Sequence, residues 1–172
     1  KVVRFHVLAN SDSEADQTLK LAVRDRVLQE YGDLLETCTS KEETLAALKN
    51  AQQEISETAE AEVLAQGYAY PVRVSLVREE FPFKKYGDLI FPAGVYDALR
   101  IEIGEAKGKN WWCVLYPQMC YVDAAWGYST EESHVRLQNT LTKEEFLVVS
   151  AMEQKKVTPK IKCRLVELWS ER

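Results

Sequence analysis

The sequence is poor in the residues and patterns that mark several protein classes. Seven glycines and five prolines in 172 residues exclude collagen-like and low-complexity chains. No apolar run approaches 18 residues, so no membrane span is expected. The net charge is −5 without a basic stripe. Because binding to phosphates needs clustered cations, nucleic acid is not an expected partner.

The sequence also lacks the motifs of common enzymes, such as a nucleophile elbow, a P-loop or a dinucleotide fingerprint. Histidine occurs only at His6 and His134. We expect His6 on the solvent face of a strand and His134 in a linker, where neither predicts catalysis. The cysteines offer one close pair and no further ligands nearby. We therefore expect no metal, no cofactor, no small-molecule substrate and no enzymatic activity.

What is present is the composition of an ordinary globular protein, with 46% apolar and 28% charged residues. The length predicts one domain, or one domain with an appendage. The chain opens with Lys1, without a methionine. We expect that an export segment of unknown length has been removed or that the chain has been trimmed.

The first third of the chain predicts a strand followed by two long helices. Apolar residues alternate from Val3 to Leu8, which indicates a half-buried strand with Arg4 and His6 facing outward. Capping boxes begin helices at Ser13 and Ser40. The first helix is expected to run to about Leu35, and the second to Gly67.

The rest of the chain predicts strands around 72–76, 99–103 and 111–116, with a hairpin-like loop at 104–110. We interpret 1–126 as the core domain, the polar stretch 127–140 as a flexible linker and 141–172 as a helical segment packed on the core. Thr142 caps a short helix there, whereas 159–169 fits either a helix or a strand. The predicted fold class is α+β, a mainly antiparallel sheet with the two long helices on one face.

Two short stretches carry the candidate binding residues. The first runs from Lys107 through Lys109, Asn110 and Trp111 to Trp112, and tryptophan is the residue most enriched in interface hot spots. Since neighbouring residues of a strand face opposite ways, at least one of these rings is expected in the core. The second is the turn 10–13 at the end of the first strand, where Asn10 and Asp12 either bind a partner group or simply cap the helix.

Two stretches near the start of the chain, FHVLANSDS at 5–13 and LKLAVRD at 19–25, resemble the opening of the stage II sporulation protein R family of endospore-forming bacteria. The most specific likeness is FPAG at 91–94 with GEAKGKNWWCVL at 104–115, and it continues through CYVD at 120–123. A weaker likeness covers KCRLVE at 162–167, and residues 124–158 look like the family's variable spacer.

The resemblance implies a signalling protein that is exported from the forespore into the space between the two septal membranes. It would activate a membrane-embedded aspartic protease of the mother cell, which then processes the precursor of the early mother-cell sigma factor. The family supplies no established catalytic residues. The alternative is an exported cell-wall hydrolase or carbohydrate-binding protein with a site around His6, Asn10 and Asp12.

Two expectations about particular residues depend on this resemblance. Export implies a compartment without cytosolic thiol reductants, and Cys113 and Cys120 flank a predicted turn, so we expect them to form a disulfide. Cys38 and Cys163 are then separate thiols or a second pair. The receptor-binding patch is expected at Lys107, Lys109, Asn110, Trp111 and Trp112, with Asn10 and Asp12 beside it.

Overall fold

The computed structural model describes residues 2–86, 89–120 and 131–151. The α+β class is confirmed. In chain order the elements are β1 (Val3–Leu8), α1 (Glu14–Glu36), α2 (Lys41–Asn50), α3 (Gln52–Ala65), β2 (Val72–Phe81), β3 (Lys84–Tyr86), β4 (Leu89–Phe91), β5 (Gly94–Ile103), β6 (Asn110–Tyr116), α4 (Glu131–Thr140) and α5 (Lys143–Ala151).

The main sheet has four strands in the order β2-β5-β1-β6. Only the central pair β1–β5 is parallel, whereas β1–β6 and β2–β5 are antiparallel. Strands β3 and β4 form a separate antiparallel pair. Because β1 lies between β5 and β6, the predicted hairpin at 104–110 is wrong: this stretch is a loop that crosses the carboxyl end of β1.

The helices begin where their caps predict. Ser13 Oγ accepts from the backbone N–H of Asp16 over 3.1 Å, and Ser40 Oγ accepts from that of Glu43 over 3.1 Å. The predicted second helix is divided into α2 and α3 at Ala51, where φ is −88° and ψ is 0°. The apolar stripe nevertheless runs through both parts, because Leu48, Ile55, Ala59 and Val63 are all buried.

The sheet is covered on both faces. Helices α1, α2 and α3 contribute to a core that includes Val3, Phe5 and Val7 of β1. A second, smaller core on the other face joins the β3–β4 pair, α4 and α5 around residues such as Phe91 and Val114. The prediction that β1 is half-buried is therefore wrong, since a central strand beneath two layers has no solvent face.

The linker predicted at 127–140 contains helix α4 over its second part, 131–140. Helix α5 follows, and its predicted capping box is present, because Glu145 Oε2 accepts from the Thr142 backbone N–H and hydroxyl at 2.9 and 3.0 Å. The predicted element at 159–169 and the pairing of Cys163 lie outside the described residues. In the part of the chain that the structure describes, no helix has the length and apolarity needed to cross a bilayer.

Candidate functional site

The candidate site lies at the carboxyl end of β1. There the loop 104–109, which we call the crossover loop, packs on the turn that follows β1. The backbone N–H of Gly108 donates to the Ala9 carbonyl over 2.9 Å, and that of Lys107 donates to the Asn10 carbonyl over 3.2 Å. These bonds extend the pairing of β1 beyond its last residue. The crossover loop and the turn are therefore one unit.

The side chains of Asn10 and Asp12 hold the crossover loop from beneath. Asn10 Oδ1 accepts from the backbone N–H of Glu105 over 2.9 Å, and Asp12 Oδ1 accepts from that of Lys109 over 2.7 Å. The structure thus brings both residues next to the lysine-rich stretch, as the patch prediction requires. Their polar atoms orient the loop backbone, which is a positioning role.

Two glycines permit this close approach. Gly104 has φ +60°, and a Cβ there would lie 2.3 Å from Asn10 Oδ1. A Cβ on Gly108 would lie only 2.1 Å from the Ser11 carbonyl oxygen. Real Cβ contacts are longer than this, so larger residues would push the crossover loop off the turn.

Asp16 anchors the turn, and sequence reasoning missed it. Its buried carboxylate accepts from Ser11 Oγ at 2.5 Å and from Asn10 Nδ2 at 2.9 Å. These hydrogen bonds, that from Ser11 first, lower the pKa of Asp16 below its usual range. The available signal was the spacing of Asp16 from Ser13, which we interpreted only as a helix cap.

Lys20 is a second missed residue, buried at 5% exposure in the apolar stripe of α1. Its Nζ donates to Gln17 Oε1 over 2.6 Å and to the Lys109 carbonyl over 3.0 Å. Burial lowers the pKa of Lys20. Lys20 therefore ties helix α1 to the far end of the crossover loop.

The outer surface of the crossover loop is charged and open. Lys107 and Lys109 are exposed, as is Glu105, whose Oε2 lies 2.7 Å from Lys107 Nζ. This contact raises the pKa of Lys107 and lowers that of Glu105. The loop thus presents two lysines on a base fixed by hydrogen bonds.

The two tryptophans lie on opposite faces of the sheet, and both are half-buried. The ring of Trp111 packs edge-on against Phe5 with centroids 5.7 Å apart, and the Arg24 guanidinium lies 4.7 Å from the Trp111 ring centroid. Trp112 stacks on His6 at 4.8 Å. Each ring therefore contributes to packing and keeps some accessible surface.

Asn110 begins β6 and is also half-buried. Its Oδ1 is enclosed and has no hydrogen-bond partner among the described residues. Asn110 therefore offers less accessible surface than the two exposed lysines that precede it.

His6 is buried at 3% exposure, so the prediction of a surface histidine is wrong. Its ring packs against the rings of Trp112 and Phe81, and Nε2 is 2.5 Å from Glu79 Oε1. Glu79 favours the protonated ring, but its other oxygen pairs with Arg100 at 3.1 Å. Burial first, and then Arg100 and Arg4, lower the pKa of His6 to about 4.

Arg4 is fully buried beside His6, although the alternation predicts it on the outside. Its guanidinium lies between 5.0 and 5.9 Å from the ring centroids of Phe81, Tyr86, Phe91 and Tyr96. Nη2 donates to Tyr86 Oη over 3.2 Å. Among the described residues, aromatic rings and not a carboxylate surround this cation. The alternation along β1 shows that residue 4 is charged, but it does not show that aromatic residues of β2, β3, β4 and β5 cover it.

The alternative site around His6, Asn10 and Asp12 is not assembled. His6 is enclosed by rings, while the other two side chains are hydrogen-bonded to the crossover loop. Two clefts, of about 480 and 200 Å³, lie elsewhere, the first beside Cys38 and Tyr116 and the second beside Phe91 and Val149. In the described ranges no group of three or more metal-ligating side chains occurs.

Three predictions about single residues remain, namely the disulfide, the state of Cys38 and the position of His134. Cys113 and Cys120 are joined in a disulfide with Cα atoms 5.5 Å apart. Cys38 is a free thiol of intermediate exposure. His134 is on α4, with its ring 6.4 Å from that of Phe146, and not in an unstructured linker.

Comparisons with known proteins agree on one family. The family model described as stage II sporulation protein R matches residues 1–126. A curated relative, stage II sporulation protein R of Bacillus subtilis (strain 168), is 32% identical over 181 residues, which covers 99% of this chain and 81% of the relative. No solved structure matches the chain.

Proposed function

This chain belongs to the stage II sporulation protein R family, and from that premise we propose that it is an intercompartmental signalling protein of sporulation. It is exported into the space between the forespore and mother-cell membranes. There it activates a membrane-embedded aspartic protease of the mother cell, and the protease then processes the precursor of the early mother-cell sigma factor. The chain acts by binding and not as an enzyme.

The single observation that carries a binding role is the construction of the crossover loop. The polar groups that could do chemistry there, Asn10, Asp12 and Asp16, are used in hydrogen bonds that hold the loop. A surface that is already ordered loses little conformational entropy when it binds. This arrangement favours recognition of a partner.

We place the receptor-binding patch on this loop and the start of β6. Lys107 and Lys109 supply exposed cations for acidic groups of the protease, and the open edges of Trp111 and Trp112 supply apolar area. Asn110 lies at the margin of the patch. Asn10 and Asp12 act from beneath by fixing the backbone that carries the lysines.

Activation then needs no chemistry from this chain. A ligand shifts a two-state receptor toward the state that it binds more tightly, by at most its difference in binding free energy between the two states. The chain therefore needs only to bind the active form of the protease more tightly than the inactive form.

Reconstitution tests the function. The chain, with the disulfide intact, is added to the purified protease in membrane vesicles together with the sigma-factor precursor. We expect cleavage of the precursor only when the chain is present. Equal cleavage rates with and without the chain would refute the proposed function.

A second experiment tests the position of the patch. In the same assay, Lys107→Ala with Lys109→Ala should weaken activation, whereas Lys49→Ala with Lys143→Ala, two exposed lysines on α2 and α5, should not. Exposed polar substitutions change stability by less than about 0.5 kcal/mol, so both variants should unfold like the parent. Full activation by the loop variant would place the patch elsewhere while leaving the function intact.

A further inference from the structure

The direction of the backbone groups along β2 follows from two hydrogen bonds. The backbone N–H of Gly104 donates to the Pro71 carbonyl over 2.8 Å and so extends the β2–β5 ladder by one pair. Backbone N–H and C=O groups alternate in direction along an antiparallel strand. The backbone groups of odd-numbered residues of β2 therefore bond to β5, and those of even-numbered residues point away from β5, to the open edge of the sheet. The contact of Gln52 supports this direction, because its Nε2 donates to the carbonyl of the even-numbered residue Val74 over 3.0 Å.

This outward edge is long and nearly unoccupied. β2 is one of the two edge strands of the main sheet and has ten residues, whereas strands of about five or six residues are common. Its outward groups belong to Val72, Val74, Leu76, Arg78 and Glu80. In the described part of the chain, the Val74 carbonyl is the one outward group with a hydrogen-bond partner. An open edge of this length is a template for another strand.

The edge is complementary to itself in one register. In an antiparallel pair of β2 strands, residues whose backbone groups point to the open edge must lie opposite each other. Even-numbered residues therefore pair with even-numbered residues. Centring the pair on Leu76 places Arg73 opposite Glu79 twice, on the face where Arg73 contacts Glu102 and Glu79 contacts Arg100. A shift of two residues places Arg73 opposite Val77 or Phe81 instead and loses both charge pairs.

We propose that β2 pairs with β2 of a second copy of this chain, antiparallel and with Leu76 on the twofold axis. The two four-stranded sheets become one, and the five outward residues of each strand form about ten intermolecular hydrogen bonds. Gln52 releases the Val74 carbonyl to the incoming strand. Arg73, which is 76% exposed in one copy, gains Glu79 of the second copy. This inference does not depend on the proposed function.

The test uses sedimentation equilibrium of the purified chain with free thiols blocked, from about 1 µM to 1 mM. The parent chain should be a dimer at the upper concentrations. Arg78→Pro removes one outward N–H and leaves the bonds to β5, and its side chain is exposed. We expect this variant to raise the dimer dissociation constant by about tenfold or more, whereas the matched Arg78→Ala should not change it.

A charge variant keeps the proposal testable if proline disturbs the fold. Arg73→Glu places like charges opposite Glu79 at both ends of the pair, so it should weaken the dimer, while Arg73→Lys should preserve it. A parent chain that stays monomeric at every concentration would overturn the proposal. Unchanged dimerisation of Arg78→Pro and Arg73→Glu would overturn it equally, because the dimer would then use another surface.

Discussion

The burial of His6 predicts a loss of stability in mild acid. The pKa of His6 in the folded chain is lowered from 6.5 to about 4, while in the unfolded chain it has its ordinary value. Between these pH values the unfolded chain binds a proton that the folded chain does not bind. Lowering the pH therefore favours unfolding, and the stability that His6 contributes is complete only above about pH 6.5.

The size of this effect follows from the two pKa values. A shift of one unit corresponds to about 1.4 kcal/mol, so the contribution of His6 to the free energy of unfolding falls by about 3 kcal/mol between pH 7 and pH 4. This is a large fraction of the stability of an ordinary domain.

The assay is chemical denaturation at a series of pH values, compared between the parent chain and His6→Phe. Phenylalanine keeps an aromatic ring packed against Trp112 and Phe81 but does not titrate. Titratable groups that do not contact His6 are common to both proteins, so their contributions cancel in the difference. The parent should lose about 3 kcal/mol more than the variant from pH 7 to pH 4. Parallel curves would refute the reasoning, because His6 would then titrate alike in both states.

Three further predictions concern the crossover loop and the disulfide, and chemical denaturation measures their stabilities. Gly108→Ala should cost about 1–3 kcal/mol because of the 2.1 Å approach to the Ser11 carbonyl oxygen, whereas Gly94→Ala, with 3.7 Å to the Tyr96 ring, should change stability by less than about 1 kcal/mol. Asp16→Asn should cost about 1–3 kcal/mol and speed amide hydrogen exchange at Glu105 and Lys109, and unchanged exchange would show that Asp16 does not support the loop. Cys113→Ala with Cys120→Ala should cost about 2.5 kcal/mol through loop entropy, while Cys38→Ala, which breaks no disulfide, should leave the midpoint nearly unchanged.

Local sequence patterns predict the positions of the helices and strands well, because capping residues and apolar periodicity are local properties. Ser13 and Ser40 begin helices, and the stripe through Leu48 and Ile55 faces the core. The division of α2 from α3 at Ala51 has no matching residue signal, since alanine favours a continuous helix.

The order of the strands depends on long-range pairing, and that explains the errors at β1. Alternation placed Arg4 and His6 on a solvent face, because a charged residue in a strand usually faces water. The cover over these two side chains comes from aromatic rings of β2 to β6, far along the chain. The same distance hid the crossover of 104–109 over β1, although the two glycines there marked a close backbone approach.

The residues predicted for the receptor-binding patch lie close together in the structure, and the binding role of the patch stays a prediction. Asn10 and Asp12 do lie beside Lys107 and Lys109, as expected, yet their side chains bond to the loop backbone. Lys20 could not be recognised, since its hydrogen bond to the Lys109 carbonyl joins residues far apart in the sequence. Asp16 was missed because a helix cap accounts for the same spacing.

A titration of the chain against a fixed amount of protease in vesicles tests the central claim, activation by binding, most directly. The initial rate of sigma-precursor cleavage is measured at each ratio. Because a ligand activates only the receptors that it occupies, the rate should rise with the chain, level off once every receptor is occupied, and fall when the chain is washed away. Full activation by a small fraction of an equivalent, persisting after the chain is removed, would contradict the claim and indicate an enzyme.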